Sequence, residues 1–416
     1  MSKDGDEIKD RHFSGFRTAR SDALKGLVCE LVQAVDGVLP VRKRKRRALD
    51  QQMFESQVEA IVCEAAFREF DEPGQWICIT RSNQKLGSVD RYKSPAMRES
   101  VLTVLDALSS PTLGLLEMRV GCPSKYAGGL QTTFRAAPAL LQKLSPLELS
   151  WADFGSSAAE EVIILKEARE DYWAKRKRLQ YEDTAQTNRY RDEMRSINAW
   201  LEEADIQMSV YRPEINLANR RLRRCFNNGR FDQGGRLFGG FWQGMDKDER
   251  RDLLIDGDSA VELDFSQVGP RIIYGMAGAA FERDAYAVPG FERHREGIKK
   301  VFGAMTHADA PLASFPKKTK DLFPASMKIA DVCGAVQRHH QPITDHFYTG
   351  VGMAAMFTES QIMVAALLRM KEAGITALPV HDAVIVAESS AAAAEAIMLD
   401  VFHQCTGVQG SVSLVQ

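Results

Sequence analysis

Two apolar runs in the last third of the chain each meet an aspartate. Residues 261–263 lead into Asp264, and a helix-like pattern follows over residues 266–278. The run at residues 378–386 is interrupted by His381-Asp382 and then resumes. Short apolar runs are typical of buried β-strands. The pattern therefore predicts two strands, each with an aspartate at one end.

Elsewhere the pattern predicts a mixture of helices and strands. Residues 1–50 are polar, which indicates a partly disordered segment, and residues 309–345 are rich in loop-forming positions. Helical periodicity is predicted over residues 51–70, 96–108, 136–144, 158–204, 358–372 and 390–403. Strand-like runs are predicted at residues 75–80, 114–120 and 131–135, with a loop at 122–129. The order helix, strand, loop, strand within 96–145 is the outline of a winged helix, although a generic α+β accessory domain fits equally well.

Composition places the chain among folded proteins of two or three domains. It has 416 residues, 44% hydrophobic and 26% charged, as is usual for globular chains. No run approaches the ~20 apolar residues of a membrane span, and the polar start predicts no signal peptide. The seven cysteines are scattered without a Cys-x-x-Cys pair. We therefore expect no membrane association, no zinc site and a cytoplasmic location.

Basic residues are clustered although the net charge is only −2. Arg42–Arg47 is a run of six basic residues, and a second cluster around residues 220–230 precedes the glycine-rich segment 227–243. Local patches of this kind set the field that a phosphate backbone meets. A solvated tail is the alternative for the first run, and a hairpin without ligand is the alternative for the glycine-rich segment.

Two pairs of residues are candidates for phosphate chemistry. A two-metal phosphoryl-transfer site needs carboxylates around metals ~3.5–4 Å apart, which Asp264 and Asp382 would supply. Arg295 and Lys299 are four residues apart on a predicted helix, so they share one face that suits a polyphosphate. The alternatives are a helix cap for Asp264, a plain hairpin turn for Asp382, and an ordinary exposed basic face for the helix.

Four segments, in this order, resemble motifs of the palm and fingers of single-subunit polymerases, which are the family A DNA polymerases and the phage-type RNA polymerases. The resemblance begins near residue 234, covers under half of the chain and is remote overall. The segments are Gly235-Arg236-Leu237 with Gln243, Asp264-Phe-Ser-Gln-Val-Gly-Pro-Arg271, Arg295-x-x-x-Lys299, and Val380-His381-Asp382.

The resemblance implies a two-metal mechanism. Asp264 and Asp382 would hold two Mg²⁺ ions, with Mn²⁺ as an alternative ion, and the carbonyl of Phe265 would be a further ligand. One ion would activate the attacking 3′-hydroxyl and the other would neutralise the leaving pyrophosphate. Arg295 and Lys299 would bind the β- and γ-phosphates. The remaining expected contacts are His381 at the primer terminus, Gly269 and His307 at the nucleotide, and Arg230, Arg236, Gln243 and Arg271 at the nucleic acid.

Three positions depart from the polymerase motifs. Gly269 replaces the glutamate with which the DNA polymerases exclude a 2′-hydroxyl, and the phage-type RNA polymerases also have glycine there. His307 stands where the fingers tyrosine is expected. Ala383 follows the second aspartate, where the DNA polymerases have a further carboxylate and the RNA polymerases a serine. Gly269 favours a polymerase that tolerates or prefers ribonucleotides, His307 would change sugar selection, and Ala383 weakens the resemblance.

The expected fold is α+β, with an antiparallel palm sheet, small helical fingers, a helical thumb-like region and an N-terminal accessory domain. The predicted segments are 1–50, polar and basic; 51–150, accessory; 151–230, thumb-like; and 231–416, palm and fingers.

The expected function is template-directed nucleotidyl transfer, by an RNA-synthesising or primase-like enzyme. Its expected partners are a nucleic acid template and primer, nucleoside triphosphates, and replication or mobile-element proteins. The alternatives are a small DNA polymerase without proofreading, or a degenerate polymerase fold that only binds nucleic acid. A metal-dependent nuclease would need further carboxylates.

Overall fold

The chain folds as two compact α+β units, Met1–Glu161 and Val162–Gln416, each with its own hydrophobic core. The computed structural model describes residues 11–122, 130–168, 176–210, 212, 215–281 and 283–415. The predicted α+β class is confirmed. The predicted finer division at residues 50, 150 and 230 stays a prediction.

The first unit packs helices against a four-stranded sheet in the order β1-β3-β5-β4, beside a two-stranded pair of β2 and β6. Its helices are α1 Asp22–Val38, α2 Ala48–Asp71, α3 Asn83–Gly87, α4 Ser100–Leu108 and α5 Pro138–Leu144. Its strands are β1 Arg11–His12, β2 Arg17–Ala19, β3 Ile77–Ile79, β4 Leu116–Arg119, β5 Thr132–Ala136 and β6 Phe154–Ser156.

The predicted helix–strand–strand order of the accessory region is present as α4, β4 and β5. The strands β4 and β5 pair antiparallel, while residues 123–129 of the predicted loop lie outside the described residues. A role of this arrangement as a DNA-binding winged helix stays a prediction.

Helix α1 corrects the expectation of a partly disordered segment over residues 1–50. Ser21 caps the helix by accepting from the N–H of Leu24. Apolar residues at helical spacing, from Leu24 to Val35, are buried in the core of the unit. The charged residues between them are Lys25 and Glu30, and both lie on the exposed face. Residues 1–10 lie outside the described part of the chain.

The basic run Arg42–Arg47 lies in the connection between α1 and α2, and the side chain of Arg46 is held by contacts. Arg46 donates through Nη1 to Asp36 Oδ1 at 2.6 Å, and its guanidinium lies 3.9 Å from the ring centroid of Phe54. The other five cations of the run are exposed. Their predicted contact with nucleic acid stays a prediction.

The second unit contains the segments with polymerase-like motifs. Its helices are α6 Ala185–Glu203, α7 Lys247–Arg250, α8 Val268–Met276, α9 Arg295–His307, α10 Ile329–His339, α11 Val351–Glu372 and α12 Ala391–Thr406. Its strands are β7 Ile163–Leu165, β8 Ile206–Met208, β9 Arg223–Phe226, β10 Gly234–Phe238, β11 Leu253–Ile255, β12 Asp258–Phe265, β13 Ala377–Val380, β14 Ala383–Ala387 and β15 Val412–Val415.

An antiparallel six-stranded sheet organises this unit. The strand order is β13-β14-β12-β11-β8, and β15 pairs with the C-terminal half of β12. A separate three-stranded sheet has the order β10-β9-β7. In it the glycine-rich segment forms the hairpin that joins β9 to β10. Strand β12 is central, so the Asp264 near its end is held by hydrogen-bonded neighbours on both sides.

One prediction for this unit is wrong. The long helix expected over residues 158–204 is replaced by β7 and by the shorter α6, because the apolar run 162–165 pairs in parallel with β9. Helix α6 starts only at a Thr184 capping box, and residues 169–175 lie outside the described residues. The loop-rich segment 309–345 contains α10.

Helix α11 is the one helix among the described residues that is long and apolar enough, by length and composition, to cross a membrane. It packs against β10, α8 and α12 inside the second unit, and its central residues are buried. Its apolar composition is explained by this position in the core.

Candidate active site

The pairing of β12 with β14 brings the two aspartates together. Asp264 lies opposite Ala383 in the antiparallel register, and the N–H of Phe265 donates to the carbonyl of Asp382 at 3.2 Å. Asp382 belongs to the two-residue turn between β13 and β14, where His381 has a left-handed backbone with φ 57°. The predicted hairpin and the predicted strand end are therefore two sides of one site.

Both aspartates line a cavity of about 430 Å³. The end of β12 and the start of α8 form one side of it, α9 a second side, and α11 with β10 a third. The predicted site residues that line the cavity are Arg236, Asp264, Phe265, Gly269, Arg295, Lys299, His307 and Asp382.

Negative charge accumulates around Asp264. Burial raises its pKa to about 6, and the carboxylates of Asp382 and Glu262 add to the increase, while the ammonium of Lys299 opposes it. A like charge close by disfavours the ionised form of a carboxyl group. A cation bound between the two aspartates would relieve this repulsion.

The donor set at this edge fits a hard divalent cation. It consists of the carboxylates of Asp264 and Asp382, and Phe265, whose carbonyl is the expected further ligand, also lines the cavity. Among the described residues, no group of three His, Cys, Asp or Glu side chains is arranged to hold a metal. Two carboxylates suit Mg²⁺, which is usually bound through one or two carboxylates plus waters and substrate phosphates rather than in an all-protein cage.

Helix α9 presents two cations to the cavity, and they differ in how they are engaged. Arg295 donates through Nε to Asp284 Oδ2 at 2.8 Å and through Nη2 to Oδ1 at 3.3 Å. Lys299 makes no hydrogen bond or ion pair with any residue that the structure describes, yet it acts on the pKa of Asp264. Among the described residues Lys299 is therefore unpaired, whereas Arg295 is oriented by Asp284.

Gly269 and His307 both line the cavity, on the α8 side and the α9 side. A Cβ added at Gly269 would meet nothing within 4 Å. The His307 ring packs so closely on Gly352 that a Cβ there would lie 2.5 Å from it. The Nδ1 of His307 lies 2.8 Å from the carbonyl of Gly303, so it is the protonated nitrogen, and Nε2 is an acceptor in the neutral ring.

Glu359 and Tyr286 are ionisable residues of the cavity to which the sequence assigned no role. Glu359 lies on α11, is 7% exposed and pairs with Arg236. A charged residue on the buried face of an apolar helix was the signal that could have found it. Burial raises the pKa of Tyr286 to about 12, and nothing in the sequence pattern marked this residue.

Two predicted residues near the turn do not line the cavity. The His381 ring lies 5.8 Å from the ring of Phe238, centroid to centroid, and its side chain is exposed. Gln243 donates through Nε2 to the carbonyls of Leu237 at 3.1 Å and Pro379 at 2.9 Å. Gln243 thus ties the β10 end to the His-Asp hairpin, and its predicted contact with nucleic acid stays a prediction.

Two predicted arginines are also engaged elsewhere. Arg230 pairs with Asp232 at 2.6 Å in the exposed turn of the glycine-rich hairpin. Arg271 donates to the carbonyls of Ser266 at 3.1 Å and Gln409 at 2.7 Å. Their predicted nucleic-acid contacts stay predictions.

Comparison with known proteins identifies no family for this chain and a weak structural similarity. No protein-family model and no curated protein matches the chain. Among solved structures, the chain is similar to one described as the POL domain of Pol1 from M. smegmatis in complex with DNA primer-template and dNTP. The match has a TM-score of 0.31 and 12% identity, and covers 55% of this chain and 51% of that one, about half its length. A similarity of this size carries no argument about function, so the function is inferred from the cavity's own residues.

Proposed function

We propose that the chain is a template-directed nucleotidyltransferase that uses two Mg²⁺ ions and accepts ribonucleotides. The observation that carries the proposal is the meeting of Asp264 and Asp382 at the edge of a cavity of about 430 Å³ that the unpaired Lys299 also lines. Two carboxylates and a free ammonium around one cavity suit a nucleoside triphosphate, whose transfer depends on positioning and charge neutralisation.

Each residue of the cavity has a proposed part. Asp264, Asp382 and the carbonyl of Phe265 would hold the ions. When bound, the ions would lower the pKa of an attacking 3′-hydroxyl and neutralise the leaving pyrophosphate. Lys299 would bind the β- and γ-phosphate oxygens as a point charge. Arg295 would approach the same phosphates with a guanidinium already oriented by Asp284.

Acceptance of ribonucleotides is supported by the open space at Gly269. A 2′-hydroxyl on that side of the sugar would meet no side chain. The acceptor Nε2 of His307 would be available to receive a hydrogen bond from a sugar hydroxyl. Within the same proposal, the six-stranded sheet would be the palm and α9 part of the fingers, while α6 would belong to the thumb-like region.

A primer-extension assay with and without primer, using NTPs or dNTPs, tests the proposal. We expect extension with NTPs in Mg²⁺ and its loss in Asp264→Ala and Asp382→Ala. The control is Asp248→Ala, because that carboxylate is 90% exposed on α7 and does not line the cavity. Full activity in either cavity variant would show that the site is assigned wrongly.

The same assay separates the second candidate, a small DNA polymerase. The position of His307 in the cavity wall favours this candidate, because an imidazole there can act on sugar selection. Extension with dNTPs at least as fast as with NTPs would support it over an RNA-synthesising enzyme.

A further inference from the structure

A second ion pair lies in the cavity wall beside the two aspartates. Arg236 on β10 donates through Nε to Glu359 Oε1 at 2.7 Å and through Nη2 to Glu359 Oε2 at 2.9 Å. Glu359 is 7% exposed and Arg236 is 28% exposed, and both line the cavity. Both oxygens of Glu359 are thus occupied by one guanidinium in a bidentate pair.

The fold holds this pair in place through a close approach of β10 to α11. Gly235 has φ +85°, and a Cβ there would lie 2.5 Å from the Oγ of Ser360. The buried Arg224 donates through Nε to the carbonyl of Gly235 at 3.2 Å and through Nη2 to Ser360 Oγ at 3.0 Å. Glycine at 235 and the bridge from Arg224 bring Arg236 next to Glu359, so the pair is part of the packing rather than a chance surface contact.

Arg236 has a second carboxylate within electrostatic reach. Burial lowers the pKa of Arg236, and the carboxylate of Glu359 raises it. Asp382 also raises this pKa, with a smaller effect than Glu359. Burial raises the pKa of Glu359, the pairing with Arg236 opposes the increase, and Asp382 adds to it. The guanidinium is therefore paired with Glu359 and lines the same cavity as a second carboxylate, Asp382.

We propose that Glu359 is a positioning residue that keeps the Arg236 guanidinium off Asp382 and so leaves Asp382 free to bind a divalent cation. This inference rests on the proposed function, since it takes Asp264 and Asp382 as the metal ligands. Without the Glu359 carboxylate, the partly buried guanidinium would turn to Asp382, a carboxylate that lines the same cavity. A cation would then have to displace Arg236 from Asp382 before it could bind.

The test is a double-variant cycle read out by Mn²⁺ binding to the full-length protein, measured as loss of the free Mn²⁺ electron paramagnetic resonance signal. We expect Glu359→Gln to weaken Mn²⁺ binding on the order of tenfold, as for loss of one charge-assisted hydrogen bond. In the Arg236→Ala background the same Glu359→Gln change should alter binding by less than about twofold, because no guanidinium remains to compete.

The cycle also distinguishes the proposed role of Glu359 from a simple loss of negative charge as the cause of weaker Mn²⁺ binding. Loss of charge alone would weaken Mn²⁺ binding by the same factor in both backgrounds, and that result would overturn the role of Glu359. The Arg236→Ala protein and the double variant keep the test usable if Glu359→Gln alone fails to fold. Asp382→Ala is the control for the proposed function. Mn²⁺ binding that survives in Asp382→Ala would overturn the metal site itself.

Discussion

Lys299 and Lys300 are neighbouring lysines on α9 with different surroundings. Lys299 lines the cavity, whereas Lys300 is exposed and donates to the carbonyl of Lys318 at 3.3 Å. We expect Lys299→Ala to raise the KM for nucleotides about tenfold or more, the size of a lost hydrogen bond to a charged group. Lys300→Ala should change KM by less than about twofold. Steady-state kinetics with both variants checks this, and equal effects would remove Lys299 from the phosphate site.

Gly269 is the residue at which sugar selection can be tested without damage to the fold. It lies in the first turn of α8, and its Cβ position faces open space. We expect Gly269→Glu to reduce kcat/KM for NTPs about tenfold or more, because a long side chain would enter the space proposed for the 2′-hydroxyl, and to spare dNTPs. Gly269→Ala is the control and should leave the NTP-to-dNTP ratio within about twofold. An unchanged ratio in Gly269→Glu would contradict the placement of the sugar.

The carboxyl of Asp264 should make the stability of the metal-free protein depend on pH. Its folded pKa is raised from 3.8 to about 6, so the folded state binds its proton more tightly than the unfolded state does. The resulting stabilisation is complete below about 3.8 and is lost as the pH rises through about 6.

Asp264→Asn tests this linkage because its amide cannot lose a proton. In EDTA, the Tm of the variant minus that of the wild type should be near zero at pH 4 and positive at pH 7.5. Added Mg²⁺ should raise the Tm of the wild type more than that of the variant. A difference that shrinks as the pH rises would contradict the raised pKa.

At the scale of elements, the contact of β10 with α11 decides where Arg236 lies. Gly235 and Gly257 both have positive φ, +85° and +80°, but only at Gly235 would a Cβ collide with a neighbour. We expect Gly257→Ala to cost about 1 kcal/mol of unfolding free energy for the backbone strain alone. Gly235→Ala should cost roughly 1–3 kcal/mol more through overpacking. Urea unfolding compares the two, and equal midpoints would show that the close approach is not needed.

The elements that carry the chemistry were visible in the sequence because they are local. Asp264 ends an apolar run and Asp382 interrupts one, and the strand pairing that joins them needs only that both runs lie in one sheet. The buried charge of Glu359 could be noticed in the sequence, but its pairing could not be predicted, because its partner Arg236 lies on β10, more than 100 residues away. The same limit explains why a helix was predicted at residues 162–165. Only pairing with the distant strand β9 shows that this apolar run is a strand.

At the scale of the whole molecule, the chemistry and the longest basic run belong to different units. Every residue that lines the cavity lies within Val162–Gln416, while Arg42–Arg47 lies within Met1–Glu161. The net charge of −2 conceals this distribution. The boundary at residues 161–162 falls directly before the apolar run 162–165, about ten residues after the predicted division at residue 150.

The most direct test of the central claim is the location of metal in crystals grown with Mn²⁺ and a non-hydrolysable nucleotide. The account predicts two anomalous-scattering peaks ~3.5–4 Å apart, both within coordination distance of Asp264 and Asp382, with the triphosphate toward Lys299. A single peak elsewhere, or none between the two aspartates, would contradict two-metal nucleotidyl transfer at this site.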